Sequence, residues 1–308
     1  MAPSLLGNAY AALPGAAREI TPPAEVRSAE ERLMFSAAAA RVCLGPGESL
    51  DPLLVQAATQ AIASAGLTAT DIDRVYGAVV LGSHVEPSPL YGLHRRLGLR
   101  RDAMVVPQGT NFSGFLSGLV LAAEAVRAGA ARHVLVAVGS RMSPHVEPGS
   151  GYAVSIADGA AAVVVGPGER NVILDFATDT DGSLEDGTTL DVRGSSVTFD
   201  IAAEHLPGVH RYGVEEPPKL VSQLLARHGL HPSDVTLVAH QASRVLIDHW
   251  QRAIRPGQYL ETFDKHGNAT VASIPMTLAT ASSPIDRPYL VLLSPGMGMH
   301  ATAVLVRR

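Results

Sequence analysis

The chain has 308 residues, a formal charge of −5, and 46% hydrophobic against 17% charged residues, the make-up of a globular protein with a sizeable core rather than a disordered one. Lys219 and Lys265 are its only lysines and it has no long Lys/Arg run, which excludes the electrostatic footprint of a nucleic-acid binder. A single cysteine, Cys43, excludes an intrachain disulfide and points to a reducing, cytoplasmic setting.

The first twenty residues, "MAPSLLGNAYAALPGAAREI", lack a basic start, and Gly7, Asn8 and Pro14 interrupt their apolar residues, so no signal peptide is expected. No later stretch reaches about 18 uninterrupted apolar residues, and no membrane span is expected either. Residues 53–66, "LLVQAATQAIASAG", read as a helix that leads through Leu67–Ile72 into strand-like "RVYGAVV". At Val105–Val126 an apolar run, a polar turn (Gln108 to Asn111) and an apolar helix follow one another. That is the form of a nucleophile elbow, which would hold Cys or Ser at the helix N-terminus. This chain has Phe112 at the bend. Ser113 follows, but a helical step turns its side chain about 100° away from the Phe112 direction.

"HVLVAVGS" at 133–140 reads as a buried strand, and "VVVGPGERNVILDF" turns at Pro167-Gly168. Residues 178–218 are richer in Gly, Asp and Pro and read as an insertion or lid. Within them "TDTDGSLEDG" lacks the ligand spacing and the twelfth-position Glu of a calcium loop, and is expected to be a solvated acidic loop. A helix at 219–229, "KLVSQLLARHG", precedes "TLVAH"; His228 and His231 flank its end without a third partner, so no metal site is expected. "YLVLLSPG" at 289–296 is the last long apolar run before "GMGMHATAVLVRR".

These elements repeat. Helix, Gly-Leu, two residues, Ser/Thr-Asp, Ile/Val and strand occur around Gly66 and again around Gly229, an offset of 163 residues. Gly109 and Gly267 each open a polar turn into a small-residue helix, an offset of 158. The expected fold is therefore α/β, made of two copies of a βαβ-rich unit whose apolar strands need cover on both faces. The halves are placed at residues 1–170 and 171–308.

Three places could carry chemistry. His240 directly follows an apolar strand, where clefts form in α/β proteins; a buried histidine satisfied by backbone is the alternative. Asn268 follows Gly267 in a tight turn, where helix capping alone would also explain it. Gly296 and Gly298 let backbone amides approach a ligand, or simply make a tight loop between strands. Together, a histidine, an amide side chain and open N–H groups suit chemistry that develops negative charge on a thioester or carboxylate oxygen.

"IADGAAAVVV" (156–165), "AHQAS" (239–243), "GNATVAS" (267–273) and "GMGMHATAVLVRR" follow one another along the chain. In this the sequence resembles β-ketoacyl-ACP synthase III and its relatives in the thiolase superfamily. The resemblance implies a thiolase-like fold, two duplicated βαβαβ halves forming a layered α/β/α/β/α sandwich. It places His240 and Asn268 on the family's catalytic His and Asn, and Gly298 near its oxyanion-hole amide. It also aligns Phe112-Ser113-Gly114-Phe115 with the family's Cys-Ala-Gly-Phe, so Phe112 stands at the cysteine position, between Asn111 and Ser113. Cys43 lies in the wrong segment to replace it.

The Trp and Arg with which the family often grips coenzyme A have no Trp counterpart in "AEERLMFSAAAARVC", which favours the phosphopantetheine thioester of an acyl carrier protein over acyl-CoA as donor. No further cofactor is expected. The resemblance leaves three readings. The first is an acyltransferase or condensing enzyme without the cysteine, acting on a small-molecule acceptor, with Ser113 a candidate substitute nucleophile. The others are a malonyl-thioester decarboxylase and a non-catalytic partner subunit. A homodimer, or a heterodimer with a related subunit, is the assembly that the family implies, and specialised polyketide or fatty-acid-type biosynthesis the setting.

Overall fold

The computed structural model describes residues 2–11, 17–18, 38, 41–45, 47–84, 86–146, 151–193 and 196–308. Most of the segment expected to lack a coenzyme A grip, and the second half of the N-terminal stretch, lie outside these residues.

Long apolar runs become strands because both faces of each sheet are covered. In the first half β1 (Pro3–Ala11), β2 (Arg74–Gly77), β3 (Met104–Pro107), β4 (Val134–Ser140) and β5 (Gly159–Pro167) form a sheet in the order β1-β5-β4-β2-β3. The pairs β1/β5 and β5/β4 are antiparallel, while β4/β2 and β2/β3 are parallel. After β6 (Val172–Thr180) comes a separate hairpin of β7 (Thr188–Arg193) and β8 (Ser196–Ile201). The later strands are β9 (Val235–Ala239), β10 (Gln258–Tyr259), β11 (Tyr289–Gly296) and β12 (His300–Arg307). Short pairings also join Ala17–Arg18 to Arg41–Val42, and Val79–Val80 to β4. The second half repeats the first half's order as β6-β12-β11-β9-β10, with the same two antiparallel and two parallel pairings. The halves join edge to edge where Ser4 of β1 pairs with Val172 of β6.

Helix α1 (Leu50–Ser64) packs Leu54, Ala58 and Ala61 on the outer face of the first sheet, against Leu135, Ala162 and Val164. A second helix, α2 (Pro89–Leu97), adds Leu90 and Leu93 to the same layer. Between the sheets lie α3 (Gly114–Arg127) and, after α4 (Glu216–Arg227) and α5 (Arg244–Ile254), α6 (Ser273–Thr280). Phe115, Leu116 and Leu119 of α3 and Ile274 and Met276 of α6 share one core with Val136 and Val163 of the first sheet and Leu292 and Val304 of the second. Leu224 of α4 and Trp250 of α5 close the far side on Leu237, Val291 and Leu305.

The two-residue period of a strand explains the split. In β5 the odd residues Ala161, Val163 and Val165 enter the central core, and the even Ala160, Ala162 and Val164 face α1. The result is a mixed α/β, five-layered α/β/α/β/α sandwich, the thiolase-like arrangement. Its two central helices both begin at the end of a polar turn, and those turns meet at the site.

Candidate active site

The elbow turn leads from β3 into α3. Phe112 has φ +62°, a left-handed conformation that a non-glycine residue adopts only at a cost. The Asn111 carboxamide oxygen accepts from the Phe112 N–H at 2.8 Å and holds the bend in that conformation. Phe112 is half-buried, and its ring lies 4.9 Å, centroid to centroid, from the imidazole of His240 at an interplanar angle of 34°.

His240 comes off the end of β9. Its backbone N–H donates to the Leu293 carbonyl of β11 at 2.8 Å, extending the parallel ladder by one residue. Gln241 then fixes the turn, donating to the Ala239 carbonyl at 2.7 Å and accepting from the Thr262 N–H at 2.9 Å. Ser243 caps α5, its hydroxyl accepting from Leu246 N–H at 3.2 Å. The imidazole is 1% exposed and its Nδ1 is buried without a hydrogen-bond partner among the described residues. Burial pushes its pKa down to about 3, because a charged imidazolium would be desolvated there. Backbone satisfaction of this ring nitrogen, the alternative open from sequence, is not what the structure has.

Asn268 is held across the halves. Its N–H donates to the Ser155 carbonyl at 2.7 Å and its carbonyl accepts from the Ala157 N–H at 2.9 Å, a short parallel bridge between the 155–157 loop and the second half. Gly267 has φ +75°, and a Cβ there would lie 2.6 Å from the Ser155 carbonyl oxygen, so only glycine permits this approach. The Asn268 side chain accepts from the Thr270 N–H at 2.9 Å and donates, at 3.5 Å, to the Ala242 carbonyl. The first of these closes a side-chain turn at the entrance to the 3-10 turn Thr270–Ala272, which precedes α6. Behind the loop, the buried Asp158 accepts from Leu44 N–H at 2.8 Å, from Ser143 N–H at 2.9 Å and from the Ser143 hydroxyl. Burial raises its pKa against the pull of those hydrogen bonds.

Phe112, His240 and Asn268 line one pocket of about 540 Å³, its open mouth included. The wall is otherwise mostly apolar and aromatic: Tyr152, Phe199, Tyr212 and Leu246, with Met297 and Met299 from the β11–β12 turn. Tyr152 and Phe199 stack at 5.1 Å.

Two family models for 3-oxoacyl-(acyl-carrier-protein) synthase III match the chain, one over residues 109–182 and its C-terminal counterpart over 225–308. A β-ketoacyl-(acyl-carrier-protein) synthase III of Vibrio vulnificus is 31% identical over 262 residues, 82% of each chain. The chain belongs to the synthase III family. Solved structures agree on the fold. The synthase III of Aquifex aeolicus superposes with a TM-score of 0.82 over 99% of this chain and 100% of its own, at 22% identity. The priming β-ketosynthase of a polyketide biosynthetic pathway does so with a TM-score of 0.81 over 99% and 96%, at 20% identity. The family is one of condensing, acyl-transferring enzymes.

On this synthase III scaffold the remaining sequence candidates sit beside the pocket rather than in it. Asn111 lies one step behind Phe112, its side-chain N–H 3.7 Å from the Met297 sulfur. Gly298, φ +76°, is in the turn whose neighbours Met297 and Met299 line the pocket. Ser113 is fully buried and is not brought to the pocket: its hydroxyl lies 2.6 Å from His300 Nε2. His300 in turn hydrogen-bonds the Met297 carbonyl, and burial lowers its pKa. Its ring packs so closely on Gly296 that a Cβ there would lie 2.1 Å from it.

Cys43 is buried, its Sγ 4.0 Å from the Ile156 carbonyl, and does not line this pocket. His228 pairs with Asp175 at 3.0 Å, and His231 caps the turn at 232–234. Among the described residues no group of three His, Cys, Asp or Glu could hold a metal ion, and no helix is long and apolar enough to cross a membrane.

Sequence reasoning missed His300, Asp158 and the aromatic wall. Asp158 and His300 stood inside motifs matched to the family, but nothing local signals their partners. Thr188, Phe199, Val209 and Tyr212 come from the 178–218 segment, whose hairpin and following helical turns form one side of the pocket.

Proposed function

We propose that the chain is an acyltransferase or condensing enzyme of the synthase III type that works without a cysteinyl acyl-enzyme. It moves an acyl group from a carrier-protein phosphopantetheine thioester, or from acyl-CoA, to a small-molecule acceptor. Phe112 stands at the elbow position that the family gives to cysteine, and forms the floor of the acyl pocket instead of a nucleophile. The observation that carries this reading is the convergence of His240, Asn268 and Phe112 on one largely apolar pocket, with His240 kept neutral and its Nδ1 unpartnered. A site with no chemistry left to do would gain from a hydrogen bond to that nitrogen.

The neutral imidazole accepts the acceptor's proton as its nucleophilic atom attacks the thioester carbon. Asn268 and the Gly298 turn amides stabilise the tetrahedral oxyanion. The C–S bond then breaks, and His240 returns the proton to the departing thiolate. Donor and acceptor must be held together, since no covalent intermediate stores the acyl group. The half spanning 1–170 supplies the elbow and the half spanning 171–308 the His and Asn. Ser113, engaged by His300, takes no part. The chain acts as a homodimer, to which the exposed edge strand β3, with Met104 on its surface, lends a pairing edge. A polyketide or fatty-acid-type pathway fits the family and the priming ketosynthase among its structural neighbours.

The test is thiol release from acyl-carrier-protein and acyl-CoA donors, with and without amine and alcohol acceptors, for wild type and His240→Ala. Release that requires an acceptor and is lost in His240→Ala is the expected result. Carbon dioxide from malonyl thioesters without any acceptor would make the chain a decarboxylase. An inert chain that gains activity only with a cysteine-bearing homologue would make it a partner subunit.

A further inference from the structure

Behind the loop that holds Asn268 lies a second cavity, about 740 Å³ with its open mouth included, lined by Arg41, Gly45, Arg141 and Ser143 among others. Its guanidinium donors are not all satisfied. Arg41 uses one guanidinium nitrogen to hold the carbonyls of Ala153 at 2.6 Å and Ile156 at 3.4 Å. Among the described residues neither Arg41 nor Arg141 forms an ion pair, and the Nε–H of each is buried with no acceptor. Two carboxylates stand near: Glu48, which accepts from the Gly45 N–H, and Asp158, which acts electrostatically on Arg141. The Asp158 oxygens already accept hydrogen bonds from Leu44 N–H, Ser143 N–H and the Ser143 hydroxyl. Both guanidinium groups are half-buried, and neither has a carboxylate partner within ion-pair distance among the described residues. Buried charged donors without acceptors are costly, and the missing acceptor has a definable shape.

We infer that this cavity binds an oxyanion of the phosphate type. Planar guanidinium forks match phosphate oxygens in bidentate geometry, and a phosphate supplies the acceptors that the two Nε–H groups lack. The bound group sits against Arg41, whose other contacts run to the 153–156 backbone and so to the residues that hold Asn268. Occupancy therefore stiffens the loop on which the pocket's amide side chain depends. The inference concerns charge and packing in this cavity and does not rest on the acyl-transfer reading. Its phosphate has two sources, the free ion or a phosphate group of a coenzyme A thioester donor.

The experiment is calorimetric titration of the full chain with inorganic phosphate and, separately, with coenzyme A, at constant ionic strength set by chloride. Phosphate binding is expected, weakened about tenfold or more in Arg141→Met, in line with the loss of a charge-assisted pair. Hydrogen exchange at 141–144 and 153–157 should slow on addition of phosphate. Arg41→Met should weaken binding likewise, but Arg141→Met carries the decision, because Arg41 also holds backbone. Coenzyme A binding with the same dependence on Arg141 assigns the site to the donor, and binding of phosphate alone assigns it to the free ion. No phosphate or coenzyme A binding into the tens of millimolar, or binding that Arg141→Met leaves unchanged, overturns the inference.

Discussion

Replacing His240 by Gln should make the protein less sensitive to acid, by an amount that follows from the burial of the imidazole. In the folded chain its pKa is pushed from the ordinary 6.5 down to about 3. Between those values the unfolded chain binds a proton that the folded chain refuses, so stability rises with pH through this window. The contribution is fully present above pH 6.5 and is lost as the pH falls towards 3. Each unit of pH below the unfolded value removes about 1.36 kcal/mol. At pH 5 the loss from this group alone is therefore about 2 kcal/mol. His266 and His300 have lowered values as well, through burial and, for His266, also the Lys265 charge. Both remain in the variant, so their effect cancels in the comparison. Urea unfolding at pH 7.5 and pH 5.0 gives four free energies. The wild type should lose about 2 kcal/mol more than His240→Gln between the two conditions, whatever the variant's own stability at pH 7.5. Equal losses would mean that His240 is hydrated or partnered in solution, and would remove the neutral imidazole from the mechanism.

Three further outcomes bear on the same site. Phe112→Cys should place a thiol at the N-terminus of α3, where its pKa is lowered, and mass spectrometry should find a single acyl adduct after incubation with acyl-CoA; no adduct, with the thiol still open to alkylation, would place the elbow off the acyl path. Ser113→Ala leaves His300 Nε2 unpartnered and should lower stability by about 1–2 kcal/mol in chemical denaturation while thiol release persists, whereas loss of release would make Ser113 the nucleophile. Gly267→Ala forces a Cβ onto the Ser155 carbonyl and displaces Asn268, so turnover should fall about 100-fold with the fold retained by circular dichroism; unchanged turnover would show that Asn268 is not needed.

The layered fold was legible because burial on both faces leaves a direct mark on sequence. The run "YLVLLSPG" coincides with β11, and "HVLVAVGS" contains β4, since a strand covered on two sides has no polar alternation to blur its limits. The helix read at 53–66 begins three residues earlier in the structure, at Leu50 after the Ser49 cap, and the one read at 219–229 runs on from helical turns that begin at Leu206. His240 and Asn268 were legible as positions, one at a strand end and one after a left-handed glycine. Their shared pocket was not legible from spacing, because it depends on the 155–157 loop of the other half. The pairing of Ser113 with His300 joins residues 187 apart in the chain, and no local pattern encodes such a contact. The same holds for Arg41 and Arg141, which stand far apart in the chain and line one cavity.

What sequence leaves out here is where the halves touch, and the pocket of Phe112, His240 and Asn268 lies at that meeting. The elbow comes from one half, the histidine and amide from the other, and the amide is braced by backbone of the opposite half, through Ser155 and Ala157. A duplicated fold can therefore change the residue at its elbow without dissolving the site, since Asn268 is held by Ser155 and Ala157, and His240 by Leu293, none of which involves Phe112. That independence is the physical reason a change at the elbow need not carry the other two groups with it.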